Sequence, residues 1–387
     1  MFHHGINVIE AASPSRTLRT VATAVIGLVA TGPAAQAALF PLDTPVLVTD
    51  IEAAIVAAGE TGTLKAALEG IAEQVRAPVV VVRVAPGADA TATNLAVIGK
   101  DEAGVRTGMQ ALLGADAVVK MKPRIIGAPG LDTLPVTTQL AGVAKKLRGM
   151  AYARAIGADV AALTAYRAGF TQRELMLIYP DVTVADGVLG ATKPAFAVAH
   201  ALGLRARIDQ EQGFHKTLSN VPLRDVVGLT KPIQFDLQDE DCDANLLNNA
   251  DITTLVRING ELRLWGNHTC ATDDAFMFES ATRTAQVLAD TVAEGMTWGM
   301  DKPLVPGLAR DIVERINAKL RALKSADQLL GGAAWFDTND NPTDQLKLGK
   351  LKIRYKYTPV PPLEGLTLVQ EITDEYLADF ASLVANG

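Results

Sequence analysis

Residues 241–270 read DCDANLLNNADITTLVRINGELRLWGNHTC, and their second half is the clearest local signal in the chain. Segments 253–258 and 261–265 are rich in β-branched and large apolar side chains. Between them stands Asn259-Gly260, a dipeptide that accepts the positive φ angles of a type I′ turn. The spacing predicts a β-hairpin with Asn259 and Gly260 at its tip and Trp265 turned toward a core. The first half, 243–251, carries Asn245, Asn248, Asn249 and Asp251. Such short polar side chains bond nearby backbone and favour caps and turns, so a turn-rich entry to the hairpin is expected there.

Working upstream, the polar segment 209–220 follows a helix predicted over 194–206. Before that, strands at 124–128 and 175–179 bracket a helix at 136–148. This alternation defines an α/β domain over 109–272 that closes on the 253–265 hairpin. A first α/β unit, 21–108, holds strands at 25–29 and 46–49, a helix capped by Asp50 and an amphipathic helix at 63–76. Its run VVVVRV at 79–84 reads as a strand buried on both faces. Residues 87–104 have no strong periodicity and are expected to contain a surface loop, an outward-facing edge. Together the two units predict an α/β body with a doubly wound, mainly parallel sheet. Residues 1–20 read as an extended N-terminal arm with Ile6, Val8 and Ile9 in a short strand.

Downstream the pattern changes to an α+β domain over 273–358. A long helix is predicted at 280–298. A second at 306–324 places Leu308, Ile312, Ile316, Leu320 and Leu323 in one stripe, with Arg310, Arg315, Lys319, Arg321 and Lys324 opposite. Segment 350–357 alternates strictly, Leu351, Ile353, Tyr355 and Tyr357 against Lys350, Lys352, Arg354 and Lys356, as a half-exposed strand does. Pro359, Pro361 and Pro362 stop it. Residues 359–387 then read as a C-terminal arm, with Leu366, Leu368 and Ile372 in a strand at 366–373 and a short helix at 374–384.

Composition narrows the function. The 387 residues can fill two or three domains, 49% are hydrophobic, and the net charge of −7 offers no basic surplus for phosphates. Nucleic acid is therefore not an expected partner. No run reaches the ~18 apolar residues of a membrane span, so no membrane is expected either. Arg16, Arg19, the apolar run 21–30 and Ala35-Gln36-Ala37 imitate a secretion signal. The long lead-in containing Glu10 argues against cleavage, and 25–29 reads equally well as a strand. Cys242 and Cys270 are the two cysteines, expected as reduced thiols.

Templates for chemistry fail on spacing. GETGTLK at 59–65 lacks the GxxxxGK[ST] of a phosphate loop. Asp239, Asp241 and Asp243 copy the start of an EF-hand loop, but Ala244 and Ala250 stand where glycine and glutamate are required. There is no GxSxG, HExxH or CxxC, and the histidines at 3, 4, 200, 215 and 268 form no chelating pattern. No catalytic residue, cofactor site or metal site is expected, and the chain does not read as an enzyme. What remains is mechanical. Residues 1–12 can reach ~40 Å and 358–373 ~50 Å when extended, enough to add a strand to a neighbour's sheet. The strand carrying Leu351, Ile353, Arg354, Tyr355 and Lys356 is the candidate receiver, its basic face complementing an arm that holds acids and no lysine or arginine.

ANLLNNADITTLVR followed by LRLWGN resembles the signature region of contractile-tail sheath proteins, the outer tube of myophage tails and R-type pyocins. RIIGAPGLDT (124–133), QRELMLIYPD (172–181), RARIDQEQGFHKTLSN (205–220) and YTPVPPLEGLTL (357–368) continue the resemblance in order. The similarity covers nearly the whole chain and is nearest the compact sheaths of peduovirus-type phages. It implies a virion tail subunit, assembled in the bacterial host cytoplasm, that stacks in rings around an inner tail tube protein and meets baseplate and tail terminator proteins. It also implies that arms link subunits within and between rings, here residues 1–12 and 366–373 with 350–357. A tube-facing segment of the C-terminal domain is implied as well; the basic face of the 308–324 helix and the polar piece 343–350 could each serve, and Asp344, Gln345, Lys347 and Lys350 of the second are its expected carriers. Two rival readings are the sheath of another contractile device (an R-type bacteriocin, a type VI or an extracellular injection system) and a doubly wound nucleotide-dependent enzyme. The latter needs a polar crevice at the sheet switch point.

Overall fold

The computed structural model describes residues 18–188, 190–377 and 380–385. Strand β1, Ile26–Thr31, has all six residues buried, as its uncharged IGLVAT permits. Strand β2, Pro45–Val48, opens with a proline where the missing N–H disturbs no interior ladder. Asp50 caps helix α1, Ile51–Ala57, its carboxylate accepting from Ala53 N at 3.1 Å. Helix α2, Leu64–Gln74, leads to β3, Val79–Val84. All of β3 is buried, Arg83 included, because that side chain donates to Phe40 O (2.5 Å) and Gly32 O (3.0 Å).

Residues 87–104 hold more than the expected surface loop. They form helix α3, Ala90–Ile98, then a small exposed hairpin, β4 Asp101–Glu102 and β5 Val105–Arg106. The helix starts at Asp89, which caps Ala92 N at 2.7 Å, and it buries Val97 alone. With so little apolar face it left no periodicity to read. Helix α4, Ala115–Val119, precedes β6, Ile125–Gly127; α5, Leu134–Leu147, precedes β7, Met150–Arg154; α6, Val160–Arg167, precedes β8, Leu175–Ile178. Strands β9 Val182–Ala185, β10 Thr192–Ala195 and β11 Val226–Leu229 make a separate small antiparallel sheet. The helix expected at 194–206 begins later, as α7, Ala197–Glu211, because Pro194 belongs to β10. The polar stretch 243–251, expected as turns, holds a two-turn helix α8, Asp243–Asn249. Its Ala244 and Leu247 are buried, and that local burial outweighs the weak helix preference of asparagine.

The hairpin strands are β12, Ile252–Ile258, and β13, Glu261–Trp265, paired antiparallel, with Asn259 at φ 53° and Gly260 at φ 86°. Their place in the body is the main topological result. The eight-stranded order is β13-β12-β8-β7-β6-β1-β3-β2. The six strands from β12 to β3 run parallel, and one antiparallel strand closes each side. Segments 21–108 and 109–272 therefore share one sheet, with β1 between β3 and β6. Ile26, Leu28 and Ala30 face a layer that includes α2 and α7, while Val29 faces another that includes α5 and α6. Each buried Leu, Ile or Val contributes about 1.5–3 kcal/mol, so this two-sided core dominates the body's stability.

The C-terminal domain has helices α9 Glu279–Gly295 and α10 Pro306–Ser325, strand β14 Gly331–Phe336, short helix α11 Thr343–Lys347 and strand β15 Ile353–Thr358. Ile316, Leu320 and Leu323 of α10 pack with Leu288, Leu329 and Ala334 in a smaller core. Strand β15 starts three residues later than expected. Asn341 takes both backbone groups of Lys352, accepting from its N–H at 2.8 Å and donating to its carbonyl at 2.9 Å, which leaves Leu351 outside the strand. Helix α12, Phe380–Ala385, is the last described element. Residues 366–373, expected as a strand, have no strand partner among the described residues. Cys242 and Cys270 are buried free thiols, and burial pushes the Cys270 thiol up to about 12.

Candidate functional site

The β14–β15 sheet is a surface with unfinished bonding. Its two strands pair antiparallel from Gly331↔Thr358 to Phe336↔Ile353, so each has an outer edge unpaired among the described residues. Ile353, Tyr355 and Tyr357 turn inward on the α10 core, and the two tyrosine rings stack at 6.2 Å. Arg354 and Lys356 turn outward. Their charge is partly engaged already. Asp340 pairs with Arg354 and, at 3.1 Å, with Lys352, contacts that hold its carboxyl well below the usual range. Lys356 Nζ lies 5.8 Å from the Trp335 ring centroid.

From Leu363 onward the apolar side chains of the chain's last segment are bare. Leu366, Leu368, Val369 and Ile372 are 71–97% exposed. Isolated exposed leucines are ordinary, but four within seven residues form a strip that needs a partner. The N-terminal candidates Ile6, Val8 and Ile9 lie outside the described residues. The start of the described chain is anchored on the C-terminal domain: Leu18 is buried against Gly295, where any Cβ would meet its side chain at 2.2 Å, and Lys319 donates to Thr20 Oγ1 at 2.8 Å.

The expected tube-facing residues fall on α11 and the turn after it. The Gln345 side chain donates to Asp344 at 3.4 Å, and among the described residues Lys347 and Lys350 have no carboxylate partner. The rival basic face of α10 is more occupied: Arg315 stacks on Trp298 at 4.0 Å, Arg321 pairs with Glu314 at 2.5 Å, and Lys319 holds Thr20. Trp265 meets Phe235 edge-on at 5.1 Å in a small cluster beside Cys242 and Val256.

One buried constellation had no counterpart among the sequence expectations. Arg205 and Asp209 of α7 meet Glu279 and Arg283 of α9, all fully buried. Arg205 reaches Asp209 at 2.8 Å and Glu279 at 3.2 Å, Arg283 pairs with Asp209, and Tyr152 donates to Glu279 at 2.7 Å. Burial opposes the Arg205 charge, but Glu279 and Asp209 more than offset it and hold the guanidinium protonated above its usual range. Two turns along α9, Asp290 pairs with Arg124 and Arg148, and Gln286 donates to Gly149 O at 2.9 Å. Positions 279, 283, 286 and 290 are a single helical stripe, polar and buried, that clamps the C-terminal domain to the body.

The sheet switch point lies between β1 and β6. There the Phe196 ring fills the space beside Gly130, and Thr63 closes on Thr31 through backbone and side-chain bonds of 2.9–3.1 Å. The crevice a nucleotide would use is occupied by the chain itself. The larger open groove, about 850 Å³, lies elsewhere, between α1, α2 and the small sheet.

Comparison with known proteins points one way. Residues 104–270 match the phage tail sheath protein central domain, 271–373 the phage tail sheath C-terminal domain, and 23–84 the N-terminal region of tail sheath protein Gp18 domain III. The chain is 49% identical to the tail sheath protein of Escherichia phage P2, covering 99% of this chain and 98% of that one. It is 46% identical to the major tail sheath protein of Serratia phage KSP20, with the same coverage. Among solved structures it resembles the helical sheath of the anti-feeding prophage in the contracted state, with TM-score 0.73 and 18% identity over 96% of this chain and 99% of that one. The contracted sheath complex of the extracellular contractile injection system PVC gives TM-score 0.70 and 16% identity, covering 97% and 99%.

Proposed function

This chain belongs to the phage tail sheath family, and from that premise we propose how its copies join, grip the inner tube and move. It is a structural subunit of a contractile phage tail and not an enzyme. Copies stack as rings around the inner tail tube, between the baseplate and the tail terminator, and contraction drives the tube through the host envelope. One observation carries this mode of assembly: the bare apolar strip of residues 366–372 leaves the same domain that exposes a two-stranded sheet with free edges. An extended segment gains backbone hydrogen bonds by adding to such an edge, and alternate side chains set its register. Because Asp340 already occupies Arg354 and Lys352, apolar packing contributes more to this contact, and charge less, than composition alone suggests. Residues 1–12 act in the same way from the other end.

The body is doubly wound, with helices on both faces of its sheet, and its clamp to α9 makes body and C-terminal domain one rigid unit. Contraction is then a repacking of interfaces, not a change of fold. A difference of a few kcal/mol per subunit, an order-of-magnitude figure, suffices because many subunits add. Asp344, Gln345, Lys347 and Lys350 form the tube contact, favoured over the α10 face because that face is tied up within the chain. Exposed charge pairs contribute about 0–1 kcal/mol each, which suits a bond that must break. Assembly takes place in the host cytoplasm, without cleavage after Ala37, which would remove the central strand β1. A phage tail is favoured over an injection device because identity to the phage sheaths is far higher than to the injection-system structures.

Removal of residues 366–387 tests the reading. The truncated chain is expected to melt within a degree or two of the full chain and to form no tubes by electron microscopy. The same holds for removal of residues 1–12. Normal sheaths from either truncation would sink the arm model for that end.

A further inference from the structure

The C-terminal arm does not start free at the end of β15. Thr358 is followed by the proline-marked segment 359–364, and at its end Glu364 returns to the body, Oε1 lying 3.0 Å from His268 Nε2. His268, in the loop after β13, is gripped on its other side by Asp251, whose Oδ1 is 2.8 Å from Nδ1. Asp251 is itself held by Arg167 of α6 at 2.7 Å. The Phe278 ring packs edge-on against the imidazole at 5.6 Å. The charged groups facing His268 are thus Asp251 and Glu364, with Arg167 behind Asp251 and an uncharged ring on the remaining side. After Glu364 the strip from Leu366 to Ile372 lies open to solvent.

We propose that the Glu364–His268 contact is a releasable root that gives the arm two working lengths. Closed, the free arm begins at residue 365. Open, it begins at residue 359, and the six released residues add about 20 Å of reach. Prolines at 359, 361 and 362 favour an extended polyproline conformation, so the released segment needs little further ordering. A partly exposed ion pair is weak enough to yield to a load, whereas Asp251, braced by Arg167, keeps the imidazole in place for reclosure. Only the doubly protonated ring is a cation, and only then does it attract both carboxylates at once. The hydrogen bond to Asp251 and the ion-pair contact with Glu364 push the His268 pKa up to about 9. A pKa raised above the ordinary 6.5 means the charged latch is fully present below about 6.5 and is lost as pH rises through about 9. The root is therefore closed at neutral pH unless pulled. The inference rests on reading residues 359–387 as a linking arm.

The test is a distance measurement on freshly purified full-length chain, diluted until light scattering shows monomers. Spin labels go on Val56→Cys and Leu368→Cys, both positions being 80% or more exposed, while the native cysteines stay buried. At about pH 7 a single narrow distance distribution is expected. Glu364→Gln and His268→Gln should each broaden it and extend its tail outward by up to about 20 Å. The parent at about pH 10 should do the same, and Glu364→Gln should show no further change between the two pH values. Glu364 lies at the surface, so its substitution leaves the fold intact, which an unchanged Tm verifies. A Glu364→Gln distribution identical to the parent's at neutral pH, or a parent already broad there, overturns the latch. Because the readout is taken on monomers, it is independent of the truncation result that decides the arm model.

Discussion

Strands β3 and β15 are both six residues long, yet they are completed in opposite ways. VVVVRV of β3 has a neighbour on each edge and a helical layer on each face, and even Arg83 is satisfied by carbonyls of its own chain. IRYKYT of β15 has one paired edge and one buried face, with half its residues in solvent. The body finishes its own bonding, whereas the C-terminal sheet and arm leave bonds to be made. In a chain whose work is to join copies of itself, assembly is expected where bonding is unfinished and rigidity where it is complete. Changes in the first region should alter stability, and changes in the second should alter assembly.

The largest stability effect is expected at the clamp. Glu279→Ala would leave Arg205 and Arg283 with Asp209 as their one shared carboxylate in a fully buried site, two cations against one anion, at a cost of about 3–5 kcal/mol. Denaturant unfolding measures this, and a loss under 1 kcal/mol would erase the distinction between a self-completed interior and an open rim. Next comes Gly260→Val. A Cβ at Gly260 would meet no other part of the protein within 4 Å, so the cost is conformational only, about 1–3 kcal/mol for a β-branched residue at positive φ. An unchanged melting temperature would mean the turn readily adopts another type.

Ile372→Asp should change stability by no more than about 0.5 kcal/mol, since the side chain is 97% exposed, and yet abolish tube formation. Assembly equal to the parent's would remove the bare strip from the interface. The smallest effect on the isolated chain is expected for Lys347→Glu with Lys350→Glu, which should be silent in melting. That variant should lower assembly on tubes while sparing tube-free polysheath. Equal loss of both products would place the two lysines at a contact between sheath subunits.

Several features were legible because their signals are local. Asn259-Gly260 announces positive φ, the valine run of β3 announces two-sided burial, and the alternation before Pro359 announces a half-exposed strand. Other features failed for equally physical reasons. Helix α3 buries a single valine and so shows no stripe, and α8 is held by two buried residues among asparagines. The α9 stripe 279, 283, 286 and 290 is misleading, because its charged residues look like a solvated face until α7 supplies Arg205 and Asp209.

The sequence by itself therefore determined the elements whose cause lies within a few residues, and, through long ordered similarity, the family. Tertiary structure alone decided that β12 continues a parallel sheet while β13 closes it, and that 21–108 and 109–272 share that sheet. It also decided that residues 366–373 have no strand partner among the described residues, and that Glu364 returns to a histidine 96 positions earlier (364 − 268). Such pairings join groups distant along the chain, and no local pattern specifies which distant edge or charge will be the partner.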